Sequence, residues 1–235
     1  MAIAPYTAPA VPTSWFVFTW HSLAAFFAAL MLCLPCLPTQ AAVDVNEDAE
    51  SRIHSLAVSL QEAAARGDVA AISAARAEFE ALTMADKHRA RLERYRQYYL
   101  ALADFRAGSI EREQGGALLE QCLRRLDKAR YAAPDFVEGL ALQAACAGNL
   151  IASQPQRTFE LSALSQRAIQ LARELEPDNP RAAFVEALST LFLPQSFGGG
   201  SQAARRLFED TVQLFMDIHL LSPRTGHIAA QARLL

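Results

Sequence analysis

One pattern recurs along this chain and limits what it can fold into: a small residue, a large apolar residue four positions later, a further apolar residue three after that, and a proline five beyond. Cys122, Leu126, Ala129 and Pro134 make one copy, Ser165, Ile169, Ala172 and Pro177 a second, and Thr211, Phe215, Ile218 and Pro223 a third. An earlier copy, Ala75, Phe79 and Leu82, lacks the proline. Successive copies are 47, 43 and 46 residues apart. The i, i+4, i+7 spacing belongs to one face of a helix, and a period of this length belongs to stacked supersecondary units. In a helical hairpin the small residue lets two helices approach closely and the large one fills the groove beside it. The proline then stops the helix after its last turn.

Val, Ile and Thr together number 19 of the 194 residues after Ala41, while Ala, Leu, Glu, Gln and Arg dominate, so helices are expected and strands are not. Pro134, Pro155, Pro177, Pro180, Pro194 and Pro223 all fall between periodic segments, where a missing amide hydrogen costs least. From Glu50 to Arg66 the residues Ile53, Leu56, Ala57, Leu60 and Ala64 form one apolar stripe that stops at Gly67, and Asp68 can cap the next helix. A third helix is expected from Asp86 to Arg106, with Leu92, Tyr95, Tyr99, Leu102 and Phe105 on one stripe and Gly108-Ser109 as its stop. The fold class expected for residues 42–235 is therefore all-α, a stack of about four antiparallel helical hairpins.

Within residues 161–184 the run LSQRAIQLARELEPDNPRAAF, with Ala172 followed by Pro177-Asp178-Asn179, resembles the end of a tetratricopeptide repeat. Asp135 and Phe136 after Pro134 make a weaker copy. The resemblance runs in degenerate form over residues 68–223 and implies a right-handed solenoid whose inner surface, lined by the first helix of each hairpin, binds a protein or peptide. The period departs from the roughly 34 residues usual in that family, which implies longer helices or looser turns. A generic array of antiparallel helices is the alternative. Residues 194–208, PQSFGGGSQAARRLF, are similar to periplasmic proteins of the TRAP-transporter T-component type, which implies a soluble accessory of solute uptake or relay. Pro223 to Leu235 reads as an abbreviated final helix.

Residues 1–41 contain no Lys, Arg, Asp or Glu, and Trp15 to Leu34 is an apolar run interrupted only by Thr19, His21 and Ser22. Thr39 and Ala41 occupy the −3 and −1 places of a small-residue cleavage site, so residues 1–41 read as a signal peptide and the remainder as periplasmic or secreted. The n-region carries no positive side chain, and retention of residues 15–34 as a membrane anchor is the alternative. Cys33 and Cys36 suggest a lipoprotein site as a lesser alternative, for which Leu32 and Pro35 are poor replacements for the small residue that processing prefers. Export would place Cys122 and Cys146 in an oxidising compartment. Each lies 12 residues from Pro134, hence at the same height on an antiparallel hairpin, where they form a disulfide if both β-carbons point inward. Two buried free thiols are the alternative.

A formal charge of −3 with mixed signs supplies no global field for a nucleic acid backbone, so nucleic acid is set aside as a partner. Phe197-Gly198-Gly199-Gly200-Ser201 follows no strand and precedes no Lys-Ser/Thr, so it reads as a flexible inter-helix turn with Ser201 as N-cap. Tyr95, Tyr98, Tyr99 and Phe105 read as core, with Tyr98 the member facing outward. Basic residues cluster at Lys87, His88, Arg89, Arg91, Arg94 and Arg96 and again at Arg124, Arg125, Lys128 and Arg130, as solvated helix faces or as a hold for an acidic peptide, a carboxylate solute or an anionic polymer. His54, His88, His219 and His227 show no metal-ligand spacing, and no metal or cofactor is expected. No nucleophile sits on a recognisable elbow and no carboxylate pair stands out. The expected function is a non-catalytic scaffold that binds a protein or peptide in the cell envelope, with Glu93, Arg96, Gln97 and Leu100, off the apolar stripe of their helix, as groove residues. A solute-binding accessory of a transport system is the alternative and would need an enclosed polar pocket. An enzyme with an unrecognised site is the third.

Overall fold

Turn-forming residues set the helix boundaries. The computed structural model describes the backbone of residues 40–84 and 89–221 and the side chains of residues 49–84, 89 and 91–217. Helix α1 spans Gln40–Ala65, α2 Val69–Ala81, α3 Arg89–Ile110 and α4 Gly115–Ala132. Then follow α5 at Val137–Ser153, α6 at Thr158–Leu175, α7 at Pro180–Phe192 and α8 at Ser201–Leu221, with single 3-10 turns at Pro155–Arg157 and Gln195–Phe197. No strand occurs among the described residues. The chain divides into two units between Ala41 and Ala42, and the helical packing is that of the second.

Asp68 caps α2 by accepting from the Ala71 amide at 3.0 Å, and Asn179 caps α7 by accepting from the Arg181 and Ala182 amides at 3.1 Å each. Pro180, the first residue of α7, has no amide hydrogen to leave orphaned there. One expected boundary differs and one is not reached. Asp86 lies outside the described residues, and α3 does not stop at Gly108-Ser109 but continues to Ile110. Gly108 serves a contact instead of a stop: a β-carbon there would sit 3.0 Å from the Gly115 carbonyl oxygen, and one at Gly115 would sit 2.6 Å from that of Gly108. The two glycines let the end of α3 and the start of α4 touch backbone to backbone.

The most extensive helix pairs are α3 with α4, α5 with α6, and α7 with α8. Between these pairs, α2 packs on α3, α5 lies against both α3 and α4, and α7 against both α5 and α6. The recurrent residues other than Leu82 and the prolines fall on alternate helices, α2, α4, α6 and α8. Ala75, Phe79, Cys122, Leu126, Ala129, Ser165, Ile169, Ala172 and Thr211 are buried, while Phe215 is half-buried. Burial of Leu126 or Ile169 contributes roughly 1.5–3 kcal/mol before the entropy of ordering is subtracted. Cys122 on α4 and Cys146 on α5 are joined by a disulfide with their α-carbons 6.6 Å apart, and both are fully buried. Ile218, Pro223 and the stretch to Leu235 fall outside the described side chains or residues, as do the leader through Thr39 and Lys87, His88, His219 and His227. Among the described residues no helix is long and apolar enough to cross a membrane.

Candidate functional site

Helix α3 carries Arg94, Tyr95, Tyr98 and Tyr99 within two turns, and the turn before α5 and the first turn of α7 bring Phe136 and Arg181 to them. Tyr98 meets Tyr99 edge to face at 5.2 Å between ring centroids and Phe136 at 5.4 Å, and Tyr95 meets Phe136 at 5.7 Å. Tyr99 in turn stacks on Phe79 of α2 at 5.3 Å. Such edge-to-face contacts add about 0.5–1.5 kcal/mol each beyond area burial and hold the rings in place.

Two arginines bound this aromatic set. The Arg94 guanidinium lies 4.9 Å from the centre of the Tyr95 ring and 5.7 Å from that of Phe136, with one long hydrogen bond of 3.4 Å to the Tyr95 hydroxyl. Its Nε is buried and has no hydrogen-bond partner. Arg181, in the first turn of α7, donates from Nη1 to the Tyr98 hydroxyl at 2.5 Å, a contact that spans 83 positions of sequence. Neither arginine lies within ion-pair distance of a carboxylate among the described residues, whereas Arg76, Arg96, Arg125 and Arg157 each do. Burial pushes the Tyr98 hydroxyl above the usual tyrosine range, with the Arg181 charge pulling the other way and the Glu138 charge adding to the rise. Tyr98 therefore stays a neutral phenol whose oxygen accepts from Arg181. Glu138, in the first turn of α5, accepts from the Asn179 amide nitrogen at 3.3 Å. The face thus carries more donors than acceptors, which suits a carboxylate.

The outward placement expected for Tyr98 is corrected: it is only 4% exposed. Leu100 is corrected in the same way, since it is fully enclosed and cannot line an open groove. Helix α3 sits between α2, α4 and α5, so residues off its main stripe are also covered. Glu93, Arg96 and Gln97 are half-buried and bind one another. Arg96 reaches Glu93 through Nε at 2.9 Å and Nη2 at 2.8 Å, and Gln97 donates to the same carboxylate at 2.6 Å. Burial raises the Glu93 carboxyl, but the hydrogen bonds from Arg96 and Gln97 and the charges of Arg96 and Arg89 outweigh it and hold the group below the usual glutamate range.

The second basic cluster is partly absorbed into structure. Arg125 donates from Nε to Asp104 at 2.8 Å and from Nη2 to Glu80 at 2.6 Å, and Arg76 approaches Asp104 at 3.2 Å. Asp104 is wholly buried, and its Oδ1 has the charge contact to Arg76 without an aligned hydrogen bond. Burial pushes its carboxyl above the usual aspartate range against the pull of Arg125 and Arg76. Arg130 donates to buried Gln143 at 2.9 Å, and Arg124 to Gln121 at 2.7 Å. The signal for the Asp104 network was one acidic residue inside the apolar run from Tyr98 to Phe105.

The glycine turn offers no amides to an anion, because Gly198, Gly199 and Gly200 donate to Gln195, Pro194 and Thr190 at 3.0, 3.1 and 2.9 Å. Gly198 and Gly200 have φ of 82° and 100°, and a β-carbon on Gly199 would come within 2.1 Å of the Leu193 carbonyl oxygen, so the turn is a tight connection and not a loose one. Ser201 is not the N-cap expected for it. The Gly200 carbonyl accepts from the Ala204 amide at 3.0 Å, which makes Gly200 the cap and Ser201 the first helical residue. No group of three or more His, Cys, Asp or Glu side chains is placed to hold a metal among the described residues.

No family model and no curated protein matches the chain. Among solved structures it is similar to the HusA haemophore from Porphyromonas gingivalis, with a TM-score of 0.57 and 24% identity over 80% of this chain and 90% of that one. At that identity the likeness is one of helical fold.

Proposed function

We propose that this is a non-catalytic, exported helical-repeat protein that binds an acidic segment of a partner protein or peptide across the face formed by α3 and the starts of α5 and α7. The observation that carries the reading is the surplus of donors at Arg94 and Arg181, two half-buried guanidinium groups beside aromatic rings and, among the described residues, without carboxylate partners. Half-buried arginines lose hydration, and an incoming carboxylate restores the lost interactions with charge-assisted hydrogen bonds. A tetratricopeptide-like stack is the architecture of this reading. It is supported by the recurrent residues on alternate helices and by the α3, α5, α7 succession of contacts. The apolar leader supports export, with the membrane anchor as its variant. The test is fluorescence anisotropy of a labelled peptide alternating Glu with Leu. Arg94→Ala and Arg181→Ala should each weaken it at least about tenfold, and added salt should weaken the wild type. Equal affinity in wild type and both variants would sink the reading.

The second reading is a solute-binding accessory, favoured by the similarity of residues 194–208 to TRAP-transporter T-components and by a structural neighbour named as a haemophore. Of the aromatic set, Tyr95 is the half-buried ring beside which a flat apolar ligand would lie. Haemin titrated into the protein would then show a saturable one-to-one shift of its Soret band that Tyr95→Ala removes.

A further inference from the structure

Two exposed apolar side chains of α8 occupy places that the earlier helices of the pattern use to hold the helix after them. The recurrent spacing puts Asp127 of α4 and Met216 of α8 at one such place, and Gln166 of α6 and Val212 of α8 at another. Asp127 accepts from Gln143 of α5 at 3.1 Å, and Gln143 accepts from Arg130 at 2.9 Å. The pair equivalent to Arg130 and Gln143 one hairpin later is Arg173 of α6 with Glu186 of α7, at 3.0 Å. Gln166 donates to Ser189 of α7 at 2.8 Å, and the place of Ser189 is taken on α5 by Cys146, which is bonded to Cys122 of α4. On α8 the corresponding side chains are apolar and open: Val212 is 58% exposed and Met216 54%.

The connector repeats as well. Pro134 and Pro177 are each the second residue after the helix they follow, and α5 and α7 begin at the fifth, behind the caps Phe136 and Asn179. Helix α8 ends at Leu221, Pro223 is again the second residue, and Thr225, a favoured capping residue, stands in the place of Asn179. Ile228, Ala232 and Leu235 then follow at the i, i+4, i+7 spacing of an apolar helix face. Counted from the cap, Ala232 stands where Gln143 and Glu186 stand, and Leu235 where Cys146 and Ser189 stand.

We propose that this face is covered by the chain's own residues 226–235, which lie as a short helix on α8 as α7 lies on α6, with Leu235 on Val212 and Ala232 against Met216. The inference needs only the packing of the described helices and is independent of the acidic-segment site. The chemistry agrees at both places. Gln166 meets Ser189 and Asp127 meets Gln143, polar side chain with polar, whereas on the last hairpin apolar residues stand opposite apolar ones. Height agrees too, because Cys122 and Cys146 meet at equal distances from Pro134, and the same symmetry about Pro223 brings Leu235 level with Thr211, beside Val212. A connector of residues 222–225 holds the segment at the face at high effective concentration, which favours it over any separate chain.

Hydrogen exchange of the purified protein, read by mass spectrometry, is the test, with a synthetic peptide of residues 222–235 as the unprotected reference. A helix from Gly226 bonds the amides of residues 230–235 internally, and these should exchange at least about tenfold more slowly in the protein than in the peptide. Val212→Asp should bring their exchange back to within about twofold of the peptide's. It alters an exposed position of α8, so circular dichroism should show the described helices retained. Leu235→Asp, in the segment itself, should remove the protection in the same way, and Phe159→Asp, at an 89% exposed position of α6, should leave it unchanged. Binding of the acidic Glu-Leu peptide should be unaltered by Val212→Asp, so that failure of either reading is seen separately. Exchange at the peptide's rate in the wild type, or protection indifferent to Val212→Asp and Leu235→Asp, overturns the proposal. Protection that vanishes on dilution would assign the face to a second copy and overturns it too.

Discussion

Loss of the Cys122–Cys146 disulfide should cost this fold a large part of its stability. The bridge joins positions 24 apart in sequence, and the loop-entropy relation for a closed loop of that size gives about 3.5 kcal/mol at 25 °C. Both cysteines are fully buried, at 0% exposure, so the reduced thiols occupy the same space as small apolar residues and no cavity opens. The difference between the oxidised and reduced chains therefore isolates the restriction of the unfolded state. Domains of ordinary size are stable by only about 5–15 kcal/mol, so the loss is a substantial fraction. With a urea m-value of about 2 kcal/mol/M, the unfolding midpoint should fall by about 1.7 M. Burial also keeps reductant away from the native bond. The comparison is thus between untreated protein and protein unfolded, reduced and refolded under reductant, with urea unfolding followed by circular dichroism. Alkylation after unfolding without reductant should label neither cysteine, and intact mass should be two daltons below that of the reduced chain. Two alkylatable thiols, or midpoints that coincide, would refute the reasoning.

Leu126→Ala and Ile169→Ala should each destabilise by roughly 2–5 kcal/mol through cavity formation, and Phe215→Ala by less than a fully buried phenylalanine would, because Phe215 is only half-buried; equal melting temperatures for all four proteins would contradict the equivalence of the repeats. Asp104→Ala should cost roughly 1.5–3 kcal/mol by removing the buried charge-assisted hydrogen bond to Arg125, since Arg125 and Arg76 both keep Glu80 as a partner, and a neutral effect in urea unfolding would show that the pair is not held as described. Glu93, held below its ordinary value of 4.5, contributes stability that is complete above that pH and is lost as pH falls through the lower folded value. The stability deficit of Glu93→Gln should accordingly be present at pH 7 and shrink toward pH 3, and a deficit that stays constant or widens on acidification counts against the Glu93–Arg96–Gln97 contacts.

Much of the local structure was legible because its causes are local. Asp68 caps α2 within its own turn, Asn179 and Pro180 start α7 together, and Pro134 and Pro177 follow the ends of α4 and α6. The spacing of Cys122, Leu126 and Ala129 and of Ser165, Ile169 and Ala172 marked faces that are indeed buried. Position along the chain could not settle what a residue meets from elsewhere. Leu100 and Tyr98 stand off the stripe of their helix and looked free, yet α3 is flanked on several sides and Arg181 reaches Tyr98 from 83 positions away. Gly108 looked like a stop and is a contact point with Gly115. Composition, period and turn chemistry determined that this chain is helical and where most helices end, because capping, backbone freedom and amphipathicity act within one or two turns. The tertiary structure alone decided which charges are paired, from Glu80 with Arg125 across 45 positions to Arg94 and Arg181 without a carboxylate among the described residues, because electrostatic and packing partners are chosen by distance in space.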